Sequence, residues 1–382
     1  MRLLELKKNL GKDFSGLKKI HIALLGDSAT QLLAQAIRGY GYEVGFDLEI
    51  FEADYDQIER QILYSSSELY QSRPEYGIVF QSAQKLKKKF YNTDMSRRNL
   101  FAHDEAKRIG GLLAELNKNM QGLKIILTNF MEVNDSVFGQ YANKTDMSLL
   151  CQMRRLNWEL MALAVETKNL FICDVAALTS AFGQTAAVDN RNHVYADMAF
   201  SLDFLPSMAK AFIDIVQAVS GASKKCLILD LDNTIWGGVI GDDGVEKIQI
   251  GDVEEGKVFT ELQSWARELE RRGILLAICS KNDEGIAKIP FEKHPDMVLT
   301  LDNIAIFIAN WESKVDNIKK IKSFLNISYD SIVFIDDNPY ERGVVRCHLP
   351  EITVPDLPED LVDYLPFLYG LNLFETTAYT LD

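Results

Sequence analysis

One feature recurs along this chain and limits its fold more than any other. A short apolar run with no polar alternation is followed by a longer stretch with helical periodicity. A strand that is apolar at every position has to be buried on both faces. A parallel sheet with helices on each side does this. From residue 19, KIHIALLG, YEVGFDLEIFEA, YGIVFQSA, LKIILTNF and LFICDVAAL read as strands. SATQLLAQAIRGYG, YDQIERQILYSSSELY, HDEAKRIGGLLAELNKN and MSLLCQMRRLNWELMALAVETKN alternate with them as helices, and AFIDIVQAV follows as another. VSGASKK, small and polar, reads as a linker. Beyond it CLILD, ILLAICS and SIVFIDD read as strands, with DMVLT as one more, and GKVFTELQSWARELERRG and SKVDNIKKIKSFLN as helices. The expected fold is α/β in two domains, residues 1–220 and 221–382, each a mostly parallel sheet flanked by helices. The length of 382 residues is comfortable for two such domains.

The net charge of -14 argues against nucleic-acid binding, which wants a basic face. It also means that any site for an anion must supply positive charge locally. The run KLKKKF at 85–90 reads as a solvated helix face. The five cysteines are scattered without a CxxC pair, as expected of buried reduced thiols in a cytoplasmic protein. MRLLELKKNLGKDF has no long apolar region, so no signal peptide is expected. No run approaches the roughly 20 apolar residues of a membrane span, so no membrane partner is expected.

Ligands of open parallel sheets bind beyond the carboxyl ends of the strands. In the second half those ends carry chemistry. CLIL runs into Asp230 and Asp232, LLAIC into Ser280, Lys281 and Asn282, and SIVFI into Asp336, Asp337 and Asn338. WESKVDNI puts Lys314 at a helix start. Clustered acids repel unless a cation lies among them, and oxygen-only ligands suit Mg²⁺. A carboxylate can attack phosphorus, and a neighbouring acid can protonate the leaving oxygen and later activate water.

D-L-D-N-T at 230–234, Ser280, Lys314 and D-D-N-P-Y-E at 336–341 resemble, in this order, the four motifs of the haloacid-dehalogenase (HAD) phosphohydrolases. The longer wording LDLDNTIWGGVIGDDG, ICSKND, WESK and FIDDNPYERG resembles the FkbH-like branch. The resemblance implies that Asp230 is the nucleophile and Asp232 the acid/base, with Lys314 balancing charge. Thr234, Ser280 and Asn282 would bind phosphate. Asp230, the backbone carbonyl of Asp232, Asp336 and first of all Asp337 would hold Mg²⁺, with Glu341 in support. It further implies a small phosphorylated three-carbon acid as substrate and transfer of its glyceryl unit to an acyl carrier protein. A phosphatase on a free phosphoester and a non-catalytic carrier-docking module are the alternatives. Trp236, Gly237 and Gly238 read as a flap, and the spacing leaves no room for a large cap. The acyltransferase-like domain that often follows in this branch has no counterpart before residue 382, as expected of a short form or a piece of a longer protein.

In the first half, LLGDSATQLL resembles the G-D-S block of SGNH hydrolases, with Ser28 as the candidate nucleophile. Asn129 and Asn134 in TNFMEVND loosely echo their later blocks. The D-x-x-H that supplies the base is missing, because His193 in DNRNH stands one residue too far from Asp189. The expected domain is an inactive SGNH-like or flavodoxin-like scaffold in which Ser28 caps a helix.

Overall fold

The computed structural model describes residues 2–133 and 135–379. The chain forms two compact units, Met1–Val216 and Gln217–Asp382. Both are parallel sheets with flanking helices. Among the described residues no helix is long and apolar enough to cross a membrane.

The first unit has five strands, β1 (Lys18–Gly26), β2 (Phe46–Glu52), β3 (Tyr76–Phe80), β4 (Lys124–Thr128) and β5 (Leu170–Cys173). They lie in the order β2-β1-β3-β4-β5, all parallel. This is the flavodoxin-like order, whose topological switch lies between β1 and β3. The helix expected across YDQIERQILYSSSELY is two short ones, Ile58–Leu63 and Glu68–Ser72. The three serines explain the break: serine bonds to nearby backbone and competes with the helix. Here the Ser67 hydroxyl donates to the Gln61 carbonyl at 2.7 Å.

The second unit has four parallel strands, β6 (Cys226–Leu229), β7 (Leu275–Ser280), β8 (Ile304–Ala309) and β9 (Ile332–Ile335). Their order is β8-β7-β6-β9. One face of the central strands packs Leu227, Leu229, Leu276, Ile278, Val333 and Ile335 into one core. The other packs Cys226, Ile228, Ala277, Cys279, Ile332 and Phe334 into a second. Two cores on one sheet explain why these strands show no polar alternation. Burial pushes the Cys226 and Cys279 thiols up to about 12. The fourth strand is IAIFIA and not DMVLT. The backbone N–H groups of Val298 and Leu299 donate to the buried Gln263 Oε1 at 3.0 and 3.1 Å. That side chain takes the place of a strand neighbour there.

Candidate active site

The register of β6 brings the reactive side chains together. Leu229 pairs with Ile278 on one side and Ile335 on the other, so β6 and β9 end level and β7 runs two residues further. Asp230 follows β6, Ser280 ends β7, and Asp336 and Asp337 follow β9. Lys314 opens the helix Lys314–Leu325. A cation suits the first turn of a helix poorly, because the dipole is positive there. Two carboxylates offset this: the Lys314 ammonium lies 3.0 Å from Asp230 Oδ1 and 2.5 Å from Asp336 Oδ2. Burial alone would pull the Lys314 pKa down, but the charges of Asp230 and Asp336 outweigh it and hold the ammonium above its usual range. Burial pushes Asp230 up against the pull of Lys314. Asp336 rises to about 6 through burial and the charge of Asp230. Asp337 rises through burial and the charge of Asp336.

Asp232 is held differently. Its Oδ1 accepts from Trp236 Nε1 at 2.9 Å and from the Ile240 N–H at 3.0 Å, and its Oδ2 accepts from Asn282 Nδ2 at 3.0 Å. The strand-to-loop turn that aims it requires a left-handed residue, and Asn233 takes φ 55° there. Asn233 Oδ1 accepts the Gly238 N–H at 2.9 Å. Gly237 and Gln249 exchange backbone hydrogen bonds of 2.9 and 2.8 Å and close a short flap. Trp236 is fully buried in the core rather than projecting from that flap. Apart from this flap and the turn Ile240–Asp243, residues 235–255 hold no folded cap among the described residues.

Two residues expected to bind phosphate also have protein partners. The Asn282 amide orients Asp232, where a phosphate contact was expected of it. Thr234 is fully buried, and its hydroxyl oxygen accepts the Asp337 N–H at 3.1 Å, tying two strand-end loops together. Arg342, which the motifs did not single out, donates from Nη1 to the carbonyls of Asp336 and Asp337 at 2.8 and 2.6 Å. Its place in FIDDNPYERG, one helical turn past the cap residue Asn338, is the signal that could have found it.

The residues fit a hard cation. Carboxylate oxygens of Asp230, Asp336 and Asp337 lie within 4.8 Å of one another. Asp230 Oδ1 is buried, 3.0 Å from the Lys314 ammonium. An oxygen-only donor set of this kind suits Mg²⁺. The Asp232 side chain stands outside this set.

The first unit also presents an acid at the end of its first strand. Both Asp27 oxygens accept the Ser82 N–H, at 2.9 and 3.0 Å. Burial lifts Asp27 to about 6 in spite of these bonds. Ser28 is buried, and its hydroxyl has no hydrogen-bond partner. It caps no helix, contrary to expectation, because the helix starts later, at Gln31, after Thr30. Asp189 caps the helix Asn190–Ala196, and His193 Nδ1 lies 4.0 Å from Asp197. Asn129 is engaged with Asp174 and the Ala176 N–H at 2.7 and 3.0 Å. Asn134 lies outside the described residues. A cavity of about 320 Å³ at Asp27 is lined by Lys85, Lys89 and Arg108. All three are paired with acids, Lys85 with Asp56, Lys89 with Glu105, and Arg108 with Glu59 and Glu105. Lys85 and Lys89 are therefore not simply the solvated face expected of KLKKKF.

The family described as FkbH, N-terminal domain, matches residues 21–217. Among solved structures, the N-terminal part of a Bacteroides fragilis protein, containing a phosphatase domain and complexed with Mg, is 47% identical over 99% of this chain and 100% of that one, with a TM-score of 0.95. A lipase/acylhydrolase from Enterococcus faecalis is 13% identical over 52% of this chain and 95% of that one, with a TM-score of 0.35. A structure assigned to the HAD-superfamily (subfamily III A) hydrolases, from Legionella pneumophila, is 17% identical over 41% and 78%, with a TM-score of 0.25. Likenesses as remote as these last two carry no argument. No curated protein matches the chain.

Proposed function

The chain belongs to the FkbH family, and from that premise we propose that its second unit is a Mg²⁺-dependent HAD-type phosphohydrolase acting through an aspartyl-phosphate at Asp230. One observation carries this reading: the buried Asp230 carboxylate lies 3.0 Å from the Lys314 ammonium and within 4.8 Å of carboxylate oxygens of Asp336 and Asp337. The Lys314 charge opposes the upward push of burial on this carboxylate, and Asp230 takes the role of nucleophile.

In the first step Asp230 Oδ1 bonds to phosphorus as the ester P–O bond breaks. Asp232 gives its proton to the leaving oxygen. The three donors from Trp236, Ile240 and Asn282 fix the direction of that transfer. In the second step Asp232 takes a proton from water, whose oxygen attacks the phosphorus and releases Asp230 and inorganic phosphate. Lys314 and Ser280 flank the transferring oxygens, with the ammonium offsetting charge that builds up in the transition state. Thr234 and Arg342 hold the two aspartate loops in register. Mg²⁺, held by Asp230, Asp336, Asp337 and the Asp232 carbonyl, would supply Lewis-acid neutralisation of the phosphoryl oxygens.

The finer reading is a phosphorylated three-carbon acid as substrate, with its glyceryl unit passed to an acyl carrier protein in the cytoplasm. Family membership supports it. So does the shortness of the flap, which holds no folded cap among the described residues. The test is phosphate release from a panel of small phosphoesters, with Mg²⁺ or EDTA and with or without carrier protein. Release that needs Mg²⁺ is expected. Absence of Mg²⁺-dependent release from every member sinks the reading. Turnover of free phosphoesters that carrier leaves unchanged favours a plain phosphatase.

A further inference from the structure

The strand order places β6 between β7 and β9. Lys281 is the first residue past β7, and Glu341 lies in the first turn of the helix that follows β9. The Lys281 ammonium donates to Glu341 Oε1 at 2.6 Å. This ion pair therefore links the loops on either side of β6, at the strand end that carries Asp230 and Asp232. Lys281 sits between Ser280 and Asn282, and Asn282 in turn holds Asp232.

Lys281, Lys314 and Arg342 differ in what they have left to offer. Lys314 is buried between Asp230 and Asp336. Arg342 is buried on two carbonyls. Lys281 keeps 39% of its side chain exposed, while Glu341 opposite keeps 10%. An ammonium has three donors. Glu341 takes one and fixes the direction of the side chain, and the exposed side presents the others.

We infer that Lys281 is a specificity-determining residue that binds a second anionic group, a carboxylate, on the phosphoester whose phosphate meets Asp230. This rests on the phosphohydrolase reading above. A phosphate entering a site with three clustered acids depends on Lys314 and the metal for its own charge. A second anion on the same substrate needs a separate cation, one that the clustered acids do not already hold. Lys281 is that cation, and Glu341 is its positioning residue. Because Glu341 stays bound, the substrate gains a charge-assisted hydrogen bond without leaving a buried carboxylate unpaired.

The test compares 3-phosphoglycerate with glycerol 3-phosphate, the same three-carbon phosphoester with a hydroxymethyl group in place of the carboxylate. Binding to the full chain carrying Asp230→Asn, which cannot turn over, is measured by calorimetry with Mg²⁺. The carboxylate should improve the Kd by about 10- to 100-fold. Lys281→Met should shrink that ratio to about threefold or less, and Lys281→Arg should keep most of it. Equal affinity for the two probes, an equal loss for both in Lys281→Met, or binding of neither overturns the inference. Phosphate release by the chain with Asp230 intact is read separately. Lys281-dependent binding without any release would sink the phosphohydrolase reading and leave the role of Lys281 standing.

Discussion

Asp27 and Asp230 occupy equivalent places in two parallel sheets. Each follows the first strand of its unit, each is buried, and burial raises the pKa of each. What surrounds them differs. Asp27 has both oxygens on the Ser82 N–H, in the loop after β3, the strand beside β1. It works as a tie across the topological switch. Asp230 has an ammonium at 3.0 Å and two more acids in reach. The adjacent residues repeat the contrast. Ser28 has no base engaged with its hydroxyl, whereas Asp232 is aimed by three donors. A strand end of a parallel sheet offers a place for chemistry. What differs between the two is the charge around the carboxylate: a backbone N–H meets Asp27, whereas an ammonium and two acids surround Asp230.

The largest expected effect separates the two acids directly. Asp230→Asn should lower phosphate release by several powers of ten while leaving the unfolding transition in place, because an amide oxygen is a poor nucleophile and the metal site loses a charge. Asp27→Asn should leave phosphate release within about twofold, since that residue has no part in the proposed chemistry. Wild-type rates from purified Asp230→Asn, or a loss in Asp27→Asn matching it, would break the contrast.

A smaller effect concerns stability. Asp27 titrates at about 6 in the folded chain against an ordinary 3.8. Between these values the folded state keeps a proton that the unfolded state has lost. This contribution is present in full below the ordinary pKa and is lost as pH rises through the folded one. It amounts to at most about 3 kcal/mol. Denaturant unfolding from pH 4 to 7 should show stability falling more in the wild type than in Asp27→Asn. Parallel curves for the two proteins would refute the assignment.

The smallest effect is at Ser28. Its hydroxyl is buried without a partner, so Ser28→Ala should leave stability unchanged or raise it by up to about 1 kcal/mol. A helix cap would have given a loss of similar size. A fluorophosphonate should not label wild-type Ser28, and labelling would show that a base is present after all.

The alternation of apolar runs and amphipathic segments was enough to read two parallel-sheet units, and both sheets have the expected character. Its failures are local. At YDQIERQILYSSSELY hydrophobic spacing outweighed three serines that end the helix. At DMVLT an apolar run passed for a strand, because nothing in it reveals that Gln263 would take its backbone N–H groups. The strand-end aspartates, Ser280 and Lys314 could be picked out because their spacing from apolar runs puts them at strand or helix ends. The partners of Thr234, Asn282 and Lys281 could not. Thr234 meets Asp337, Asn282 meets Asp232, and Lys281 meets Glu341, each across 50 or more positions of sequence.

The sequence by itself determined which residues stand at the ends of strands, since periodicity and burial are properties of a few neighbouring positions. Only the tertiary structure decided which of those residues are occupied and which are free. Hydrogen bonds and ion pairs have ranges of a few ångströms. The strand order, with β6 between β7 and β9, sets which loops come within that range. In the second unit Lys314 comes against Asp230, and in the first, where β1 lies beside β3, Asp27 is tied to Ser82.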